Sequence, residues 1–198
     1  TLGFVFSLVQ SYVVYLVYIL EDRAEKGALA TMAYLDALTG LFNRAKCQQI
    51  FDILDKSFGD YAFVSIDMNG LKMVNDKYGH NEGDKLIKIF AGLFKEAFAG
   101  VGTAIRVGGD EFLAIVRSEH VADVNDAVKK MVDLQKERSE DLPIPLEVAY
   151  GVAFKHEFLK NGFSMAEETH IDAEKVYHLS DERMYAMKAK MKSKLARF

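Results

Sequence analysis

The sequence has little of what would build a disulfide framework or a zinc site. Its 198 residues include one cysteine, Cys47, and five histidines. A lone cysteine cannot form an intramolecular disulfide, and the histidines follow no metal-ligand spacing. Neither kind of site is therefore expected to support the fold, and the cysteine usage is compatible with a reducing cytosol.

Two further signatures are missing. The formal net charge is −4 and the sequence has no long stripe of basic and aromatic residues, which argues against a nucleic-acid partner. No Gly-x-x-x-x-Gly-Lys-Ser/Thr string occurs, so the phosphate-binding loop of P-loop nucleotide hydrolases is absent from the sequence. Half of the residues are hydrophobic, as expected for one globular domain.

The start of the chain is apolar. Residues 2–20 contain no charged side chain, and only Ser7, Gln10 and Ser11 interrupt the bulky apolar residues. About twenty such residues can cross a bilayer as a helix, and a helix buried in a sensor domain or a dimer is the alternative. A cleaved signal peptide would need a basic start and a small-residue cleavage site, and neither is visible here. We predict three regions: a transmembrane or signalling helix at 1–20, a helical linker at 21–35 and a catalytic domain at 36–198.

A glycine pair stands directly before two acids in Gly108-Gly109-Asp110-Glu111-Phe112. The apolar flanks, residues 104–107 and 112–116, predict two strands, and the glycines supply the positive φ that a tight hairpin needs. The acids then project from a rigid turn. Such a turn suits metal-dependent phosphate chemistry, and an ordinary solvated turn is the alternative.

A third acid ends a strand further upstream. Residues 61–68 form a β-branched and aromatic run in which Asp67 is the single acid. A buried carboxylate is costly unless a cation pairs with it. If this strand lies beside the hairpin, Asp67 converges with Asp110 and Glu111. The three acids would form the oxygen-rich, partly open site that Mg²⁺ prefers when substrate phosphates complete its octahedron.

Several motifs occur together along the chain. Asp67-x-Asn69-x-Leu71-Lys72-x-x-Asn75-Asp76-x-x-Gly79-His80-x-x-Gly83-Asp84 is followed by Arg106-x-Gly108-Gly109-Asp110-Glu111-Phe112. Asp36-Ala-Leu-Thr-Gly-Leu-Phe-Asn-Arg44 precedes them, and Asp181-Glu-Arg-Met-Tyr-Ala-Met-Lys188 follows. Together they resemble the GGDEF family of diguanylate cyclases over roughly residues 36–192, and such a set is far more specific than one five-residue string.

The order of predicted elements agrees with this resemblance. Strands are predicted at 61–68, 104–107, 112–116 and 144–154, and helices at 45–58, 71–80, 83–99, 121–138 and in a final stretch to about 192. The core order β-α-β-β-α-β predicts an α/β (α+β) fold. This would be a ferredoxin-like mixed sheet flanked by helices, like nucleotide cyclase and palm domains, preceded by an N-terminal helix. Residues 155–174 are predicted to form a surface loop.

The resemblance implies that two GTP molecules condense to cyclic di-GMP with release of two pyrophosphates. By similarity, Asp67, the backbone carbonyl of Met68, Asp110 and Glu111 hold one or two Mg²⁺ (or Mn²⁺) ions. Asp110 is the candidate to help deprotonate the attacking ribose hydroxyl together with the metal.

The resemblance also assigns the substrate contacts. Asn75 and Asp84 match the guanine-binding positions, and helix or turn capping is their structural alternative. Lys72, Lys188 and Lys192 match positions that bind the triphosphate, although a lysine-rich helix end could merely complement the helix dipole. Lys192 replaces an arginine often found there. His80 receives no catalytic role.

Two departures from the family pattern matter. Asn69 stands where many relatives have a second acid, and an amide there need not disturb the metals. The Arg-x-x-Asp product-binding motif of many members is replaced by Ala99-Gly100-Val101-Gly102. No product-inhibition site of the usual kind is therefore expected.

The chemistry also implies partners and location. A symmetric product needs two half-sites face to face, so we expect a homodimer, an upstream sensor or membrane domain, and a cytoplasmic catalytic domain tethered to the cell membrane. A silent GTP-binding or protein-interaction module is the main alternative. A GTP-hydrolysing or adenylate-cyclising enzyme is disfavoured by the guanine-type pair Asn75 and Asp84.

Overall fold

The computed structural model describes residues 10–23, 33–140, 142, 144–158 and 171–195. The chain divides into two compact units, Thr1–Leu35 and Asp36–Phe198. In the first unit residues 10–23 are helical. Within the described ranges no helix is both long and apolar enough to cross a membrane. The predicted membrane or signalling helix includes residues 1–9, and the predicted linker includes 24–32, which lie outside the described residues.

The second unit has the predicted β-α-β-β-α-β order. Two short 3₁₀ helices, Ser118–Asp123 and Lys155–Phe158, follow the third and the fourth strand. Residues 159–170 of the predicted loop lie outside the described residues. The main elements are α1 (Arg44–Leu54), β1 (Tyr61–Asn69), α2 (Leu71–Tyr78), α3 (His80–Ala97), β2 (Thr103–Gly108), β3 (Glu111–Arg117), α4 (Val124–Glu140), β4 (Glu147–Phe154) and α5 (Ala173–Leu195).

The four strands form one sheet in the order β2-β3-β1-β4. The strand pairs β1–β3, β1–β4 and β2–β3 are all antiparallel, and a parallel bridge from Phe42 to Ile105 extends the β2 edge. In the β1–β3 pair Asp67 lies opposite Glu111. Residues opposite each other in a sheet point to the same face, so both carboxylates belong to one side of the sheet.

Strand β1 is buried on both faces, and its period of two sorts its side chains between two cores. Ala62, Val64, Ile66 and Met68 pack in the core that includes residues of α2, α3 and α4. Tyr61 and Phe63 pack in the core that includes residues of α1 and α5. Because Ser65 and Asp67 continue the second set, they lie on the α5 side of the sheet.

Helix boundaries differ from the predictions where capping was not recognised. Helix α1 begins at Arg44 because the Asn43 side chain accepts from the backbone N–H groups of Ala45 and Lys46 at 2.9 and 3.2 Å. Helix α3 begins at His80, after Gly79 with φ +88°. The predicted start at residue 83 was therefore three residues too late, and Gly83 lies buried within α3.

Candidate active site

Asp67 lies at the end of β1, covered by α5. The residue is 3% exposed. The Lys188 ammonium lies 2.6 Å from each oxygen of its carboxylate. The contact has hydrogen-bond geometry toward Oδ2, whereas buried Oδ1 lies at ion-pair distance without a hydrogen bond. The cationic partner of this buried acid is thus a lysine of the last helix.

The hairpin that carries Asp110 and Glu111 is fixed on both sides. Of its two glycines, Gly109 has the positive φ, +52°. The Arg106 guanidinium donates to the Gly109 carbonyl from Nε and Nη2, at 3.1 and 2.7 Å. From β1, the backbone N–H of Met68 donates to the Asp110 carbonyl at 3.0 Å. The backbone beneath the two acids is therefore held to both neighbouring strands.

Arg106 also ties the hairpin to the start of the second unit. Its Nη1 donates to both oxygens of Asp36, at 3.0 and 3.2 Å. The same carboxylate accepts from the backbone N–H and hydroxyl of Thr39, at 2.9 and 2.6 Å. Burial alone would raise the pKa of Asp36, but these hydrogen bonds outweigh it and lower the pKa. The motif that begins at Asp36 and the motif that begins at Arg106 are thus in direct contact.

Acidic groups gather on the α5 side of the sheet end. Glu111 is exposed at the start of β3, but partial burial of its carboxylate raises its pKa, and the nearby charges of Asp110, Asp181 and Asp67 raise it further. Burial also raises the pKa of Asp67, against the opposing hydrogen bond from Lys188. Repulsion among these carboxylates favours a cation at this position.

An open cavity of about 910 Å³ has Asp110 in its lining, whereas Asp67 and Glu111 are not among its lining residues. Its size suits a nucleotide, and its basic side chains suit a phosphate chain. The predicted site residues in its lining are Met68, Lys72, Asp110, Lys188 and Lys192. A second cavity, of about 610 Å³, is lined by residues of α3 and α4, among which none of the predicted site residues occurs. We therefore assign the chemistry to the first cavity.

Asn75 lies in α2 and Asp84 lies in α3. Neither residue is in the lining of that cavity. The Asn75 Oδ1 is buried without a hydrogen-bond partner. A Cβ at Gly83 would lie 1.9 Å from this oxygen, so the glycine makes room for the amide. Capping does not explain either residue, because α2 and α3 begin after Gly70 and Gly79 without a side-chain cap. A buried acceptor without a partner indicates that a ligand or a water completes it.

The acids fit a Mg²⁺ site of the open kind. Among the described residues, no group of three or more His, Cys, Asp or Glu side chains is placed to hold a metal ion. Mg²⁺ does not require one, since it retains waters and binds through one or two carboxylates plus substrate phosphates. Both oxygens of Asp67 face the Lys188 ammonium at 2.6 Å, so this position already accommodates a positive charge. Asp67, the Met68 carbonyl, Asp110 and Glu111 are the groups that could hold the ion.

Sequence reasoning missed three contacts of this site. Lys188 pairs with Asp67, Ser65 and Ser180 share a buried hydroxyl contact of 2.7 Å, and Asp181 lies close enough to raise the pKa of Glu111. The sequence signal for these contacts was the spacing of the residues. Ser65 and Asp67 are two residues apart in β1, and Lys188 follows Ser180 and Asp181 by eight and seven residues in α5. These spacings place the partners on one strand face and one helix face.

Nearly all of the second unit matches a known family. Residues 33–194 match the family described as "Diguanylate cyclase, GGDEF domain". The chain belongs to the GGDEF family. It is 31% identical over 164 residues to Probable diguanylate cyclase DgcJ of Escherichia coli (strain K12), covering 80% of this chain and 30% of DgcJ. It is 28% identical over 166 residues to diguanylate cyclase DgcS of Shewanella oneidensis, covering 81% of this chain and 51% of DgcS.

A solved GGDEF structure has the same fold. The coiled coil and GGDEF domain of DgcB from Caulobacter crescentus, in complex with c-di-GMP, superposes with a TM-score of 0.70 at 21% identity, covering 93% of this chain and 95% of that chain. The chain spans 30% and 51% of the lengths of DgcJ and DgcS. The description of the family and the names of both relatives refer to diguanylate cyclases.

Proposed function

We propose that the GGDEF domain of this chain is a competent, Mg²⁺-dependent diguanylate cyclase that acts as a homodimer. The observation that carries the proposal is the placement of its acids. Asp67 and Glu111 share one face of the β1–β3 pair, and Asp110 lines a cavity that also has Lys72, Lys188 and Lys192 in its wall. Carboxylates beside lysines in one cavity suit transfer of a nucleotidyl group from a triphosphate.

In the proposed reaction the 3′-hydroxyl of one GTP attacks the α-phosphorus of the other. The new oxygen–phosphorus bond forms as the bond to the β-phosphate breaks, and pyrophosphate leaves. Asp110 takes the hydroxyl proton, and the three lysines hold the phosphate charge. When bound, Mg²⁺ neutralises the triphosphate and helps to ionise the hydroxyl. A second, symmetric transfer in the dimer closes the ring.

Asn75 and Asp84 are proposed to recognise guanine. A carboxylate can accept from the N1 and N2 hydrogens of guanine, and the orphaned amide oxygen of Asn75 needs a donor. A site that depends on such hydrogen bonds can reject a base that lacks them by about 10⁴-fold. We therefore expect ATP to be excluded.

Product analysis tests the proposal. The chain, with its N-terminal helix kept in detergent, is incubated with GTP and Mg²⁺, and the nucleotide formed is identified by mass spectrometry. Cyclic di-GMP is the expected product. A dimeric chain that binds GTP and leaves it intact would instead be the silent binding module.

Two isosteric variants test the acids. We expect Asp110→Asn and Glu111→Gln to lose at least about 10³-fold in turnover, because each removes charge that the reaction needs. The hairpin should keep its shape, since its backbone contacts remain. Glu119→Gln, at an exposed acid of the following 3₁₀ helix, is the matched control and should keep full activity. Wild-type rates in either hairpin variant would remove these acids from the chemistry.

A further inference from the structure

Two different anionic partners can be assigned to the Lys188 ammonium, the substrate triphosphate and Asp67. Its position in the family pattern assigns it to the substrate triphosphate. In this structure its ammonium instead lies 2.6 Å from each oxygen of Asp67. Asp67 is also the buried acid that fits a divalent cation. A cation bound to Asp67 and the Lys188 ammonium must therefore compete for the same two oxygens.

The ion pair is largely shielded from water. The side chains of Asp67 and Lys188 are 5% and 22% exposed. Breaking such a pair by removing one charge is costly, because the remaining buried charge loses its partner. Neither group can therefore leave the other without a replacement.

We propose that Lys188 is the resident counter-ion of Asp67 and makes the site selective for a divalent cation that arrives together with a triphosphate. This inference rests on the proposed function, because the triphosphate is taken as the group that Lys188 binds after leaving Asp67. Lys188 then determines which form of the cation the site accepts.

The charges around the pair explain the selectivity. A bare cation that reaches Asp67 displaces Lys188 and leaves its ammonium without a partner. The positive charge of Lys192 also acts on Asp67, so the displaced ammonium would lie near a second lysine charge. A cation carried by a triphosphate brings the replacement anion with it. In that case the number of ion pairs stays the same when Lys188 moves from Asp67 to the triphosphate. Lys188 therefore opposes the binding of a bare cation and permits the binding of a cation that carries a triphosphate.

Metal and nucleotide are consequently coupled through this side chain. If Lys188 weakens metal binding in the empty site and strengthens nucleotide binding in the filled one, each ligand must raise the affinity of the other by the same factor. Loss of the lysine charge should reduce that factor.

Mn²⁺ binding to the 198-residue chain measures the coupling without turnover. The free ion is followed by electron paramagnetic resonance, first alone and then with 3′-deoxy-GTP, which lacks the attacking hydroxyl. We expect Lys188→Gln to bind Mn²⁺ about tenfold more tightly than the wild type without nucleotide. With saturating 3′-deoxy-GTP this advantage should disappear. Lys188→Arg keeps the charge and should retain the weak binding of the wild type.

Lys190→Gln provides the matched control. Lys190 is exposed on the same helix, two residues from Lys188, and its neutralisation should leave Mn²⁺ affinity unchanged. Mn²⁺ affinity that is equal or weaker in Lys188→Gln than in the wild type overturns the inference. If that variant does not fold, Lys188→Met is used and Mn²⁺ should raise its unfolding midpoint more than that of the wild type. Equal shifts would also overturn the inference.

These outcomes are separable from those of the proposed function. An active chain whose Lys188 variants bind Mn²⁺ like the wild type overturns the counter-ion inference alone. A chain that shows the shift and forms no cyclic di-GMP overturns the proposed cyclase activity and retains the counter-ion.

Discussion

Gly83 illustrates how a residue without a side chain shapes the candidate base site. It lies near the start of α3, and a Cβ there would meet Asn75 Oδ1 at 1.9 Å and Leu71 Cδ1 at 3.3 Å. Alanine is a better helix former than glycine by about 1 kcal/mol, so propensity alone would favour replacement. The short amide of Asn75 can rotate away more easily than the helix can unfold. The glycine therefore serves the position of Asn75 rather than the helix.

Gly83→Ala should weaken GTP recognition while the domain stays folded. Loss of one hydrogen bond to the base corresponds to a rise of about tenfold in KM for GTP, with weaker exclusion of ATP. Steady-state kinetics with both nucleotides and a thermal unfolding curve measure the two effects. Gly92→Ala in the same helix, where nothing lies within 4 Å of the added Cβ, is the control and should leave KM unchanged. An unaltered KM in Gly83→Ala would contradict a base contact by Asn75.

At the scale of elements, α5 is positioned by close contact with β4. Gly151 is buried, and a Cβ there would lie 2.1 Å from the Ser180 carbonyl oxygen and 2.4 Å from the Met184 nitrogen. These are backbone atoms of the helix and cannot turn aside. The Ser65–Ser180 contact fixes the same turn of the helix from β1. The position of Lys188, two turns further on, therefore depends on Gly151.

Gly151→Ala should push α5 away from the sheet. We expect a loss of about 3 kcal/mol in the free energy of unfolding, the upper part of the range for overpacked interiors, together with reduced cyclase activity. Denaturant titration gives the stability, and Gly92→Ala again serves as the control for a glycine change that meets no neighbour. Full stability in Gly151→Ala would show that helix and strand are less tightly packed than these distances indicate.

The contact between Asp36 and Arg106 joins the segment before α1 to the hairpin that carries Asp110 and Glu111. Both side chains are mostly buried, with 23% and 11% exposure. Since the folded-state pKa of Asp36 lies below its ordinary value of 3.8, this carboxylate stabilises the fold at pH values above 3.8. The contribution is lost as the pH falls through the lowered pKa.

Asp36→Asn should therefore cost about 1–3 kcal/mol of stability at neutral pH, and less as the pH falls below the ordinary pKa of Asp36. Unfolding midpoints of wild type and variant, compared at neutral pH and at pH 3, measure the difference. Turnover should fall more than KM rises, because the hairpin acids lose their fixed backbone. A gap between the two proteins that stays constant with pH would contradict this role of the carboxylate.

Local patterns predicted much of this architecture. The β-branched and aromatic run at 61–68 predicted β1, and the apolar flanks of the glycine pair predicted β2 and β3. The Lys188–Asp67 contact joins residues 121 positions apart and depends on how α5 crosses the sheet, which no local pattern specifies. The close approach of Gly83 to Asn75 likewise depends on how α2 and α3 pack, which no local pattern specifies. Helix packing decides both.

At the scale of the whole molecule, the proposed reaction needs two domains. Each GGDEF domain would present one GTP, and an isologous pair would bring the two substrates face to face. Holding two reactants in position can supply about 7–11 kcal/mol of a barrier. The angle between the domains would therefore control the rate. Residues 1–20, whose role as a signalling or membrane helix stays a prediction, precede the domain and are proposed to set that angle.

Co-expression with an inactive partner tests this requirement. Wild-type chain produced with an excess of Asp110→Asn chain should form mainly heterodimers, which complete at most one of the two transfers. The cyclic di-GMP formed per wild-type chain should then fall well below that of wild type alone. An excess of Glu119→Gln, which retains the hairpin acids, should cause no loss. Activity per wild-type chain that is independent of the Asp110→Asn excess would mean that one domain completes the reaction by itself, since a dimeric mechanism requires functional acids on both sides of the product.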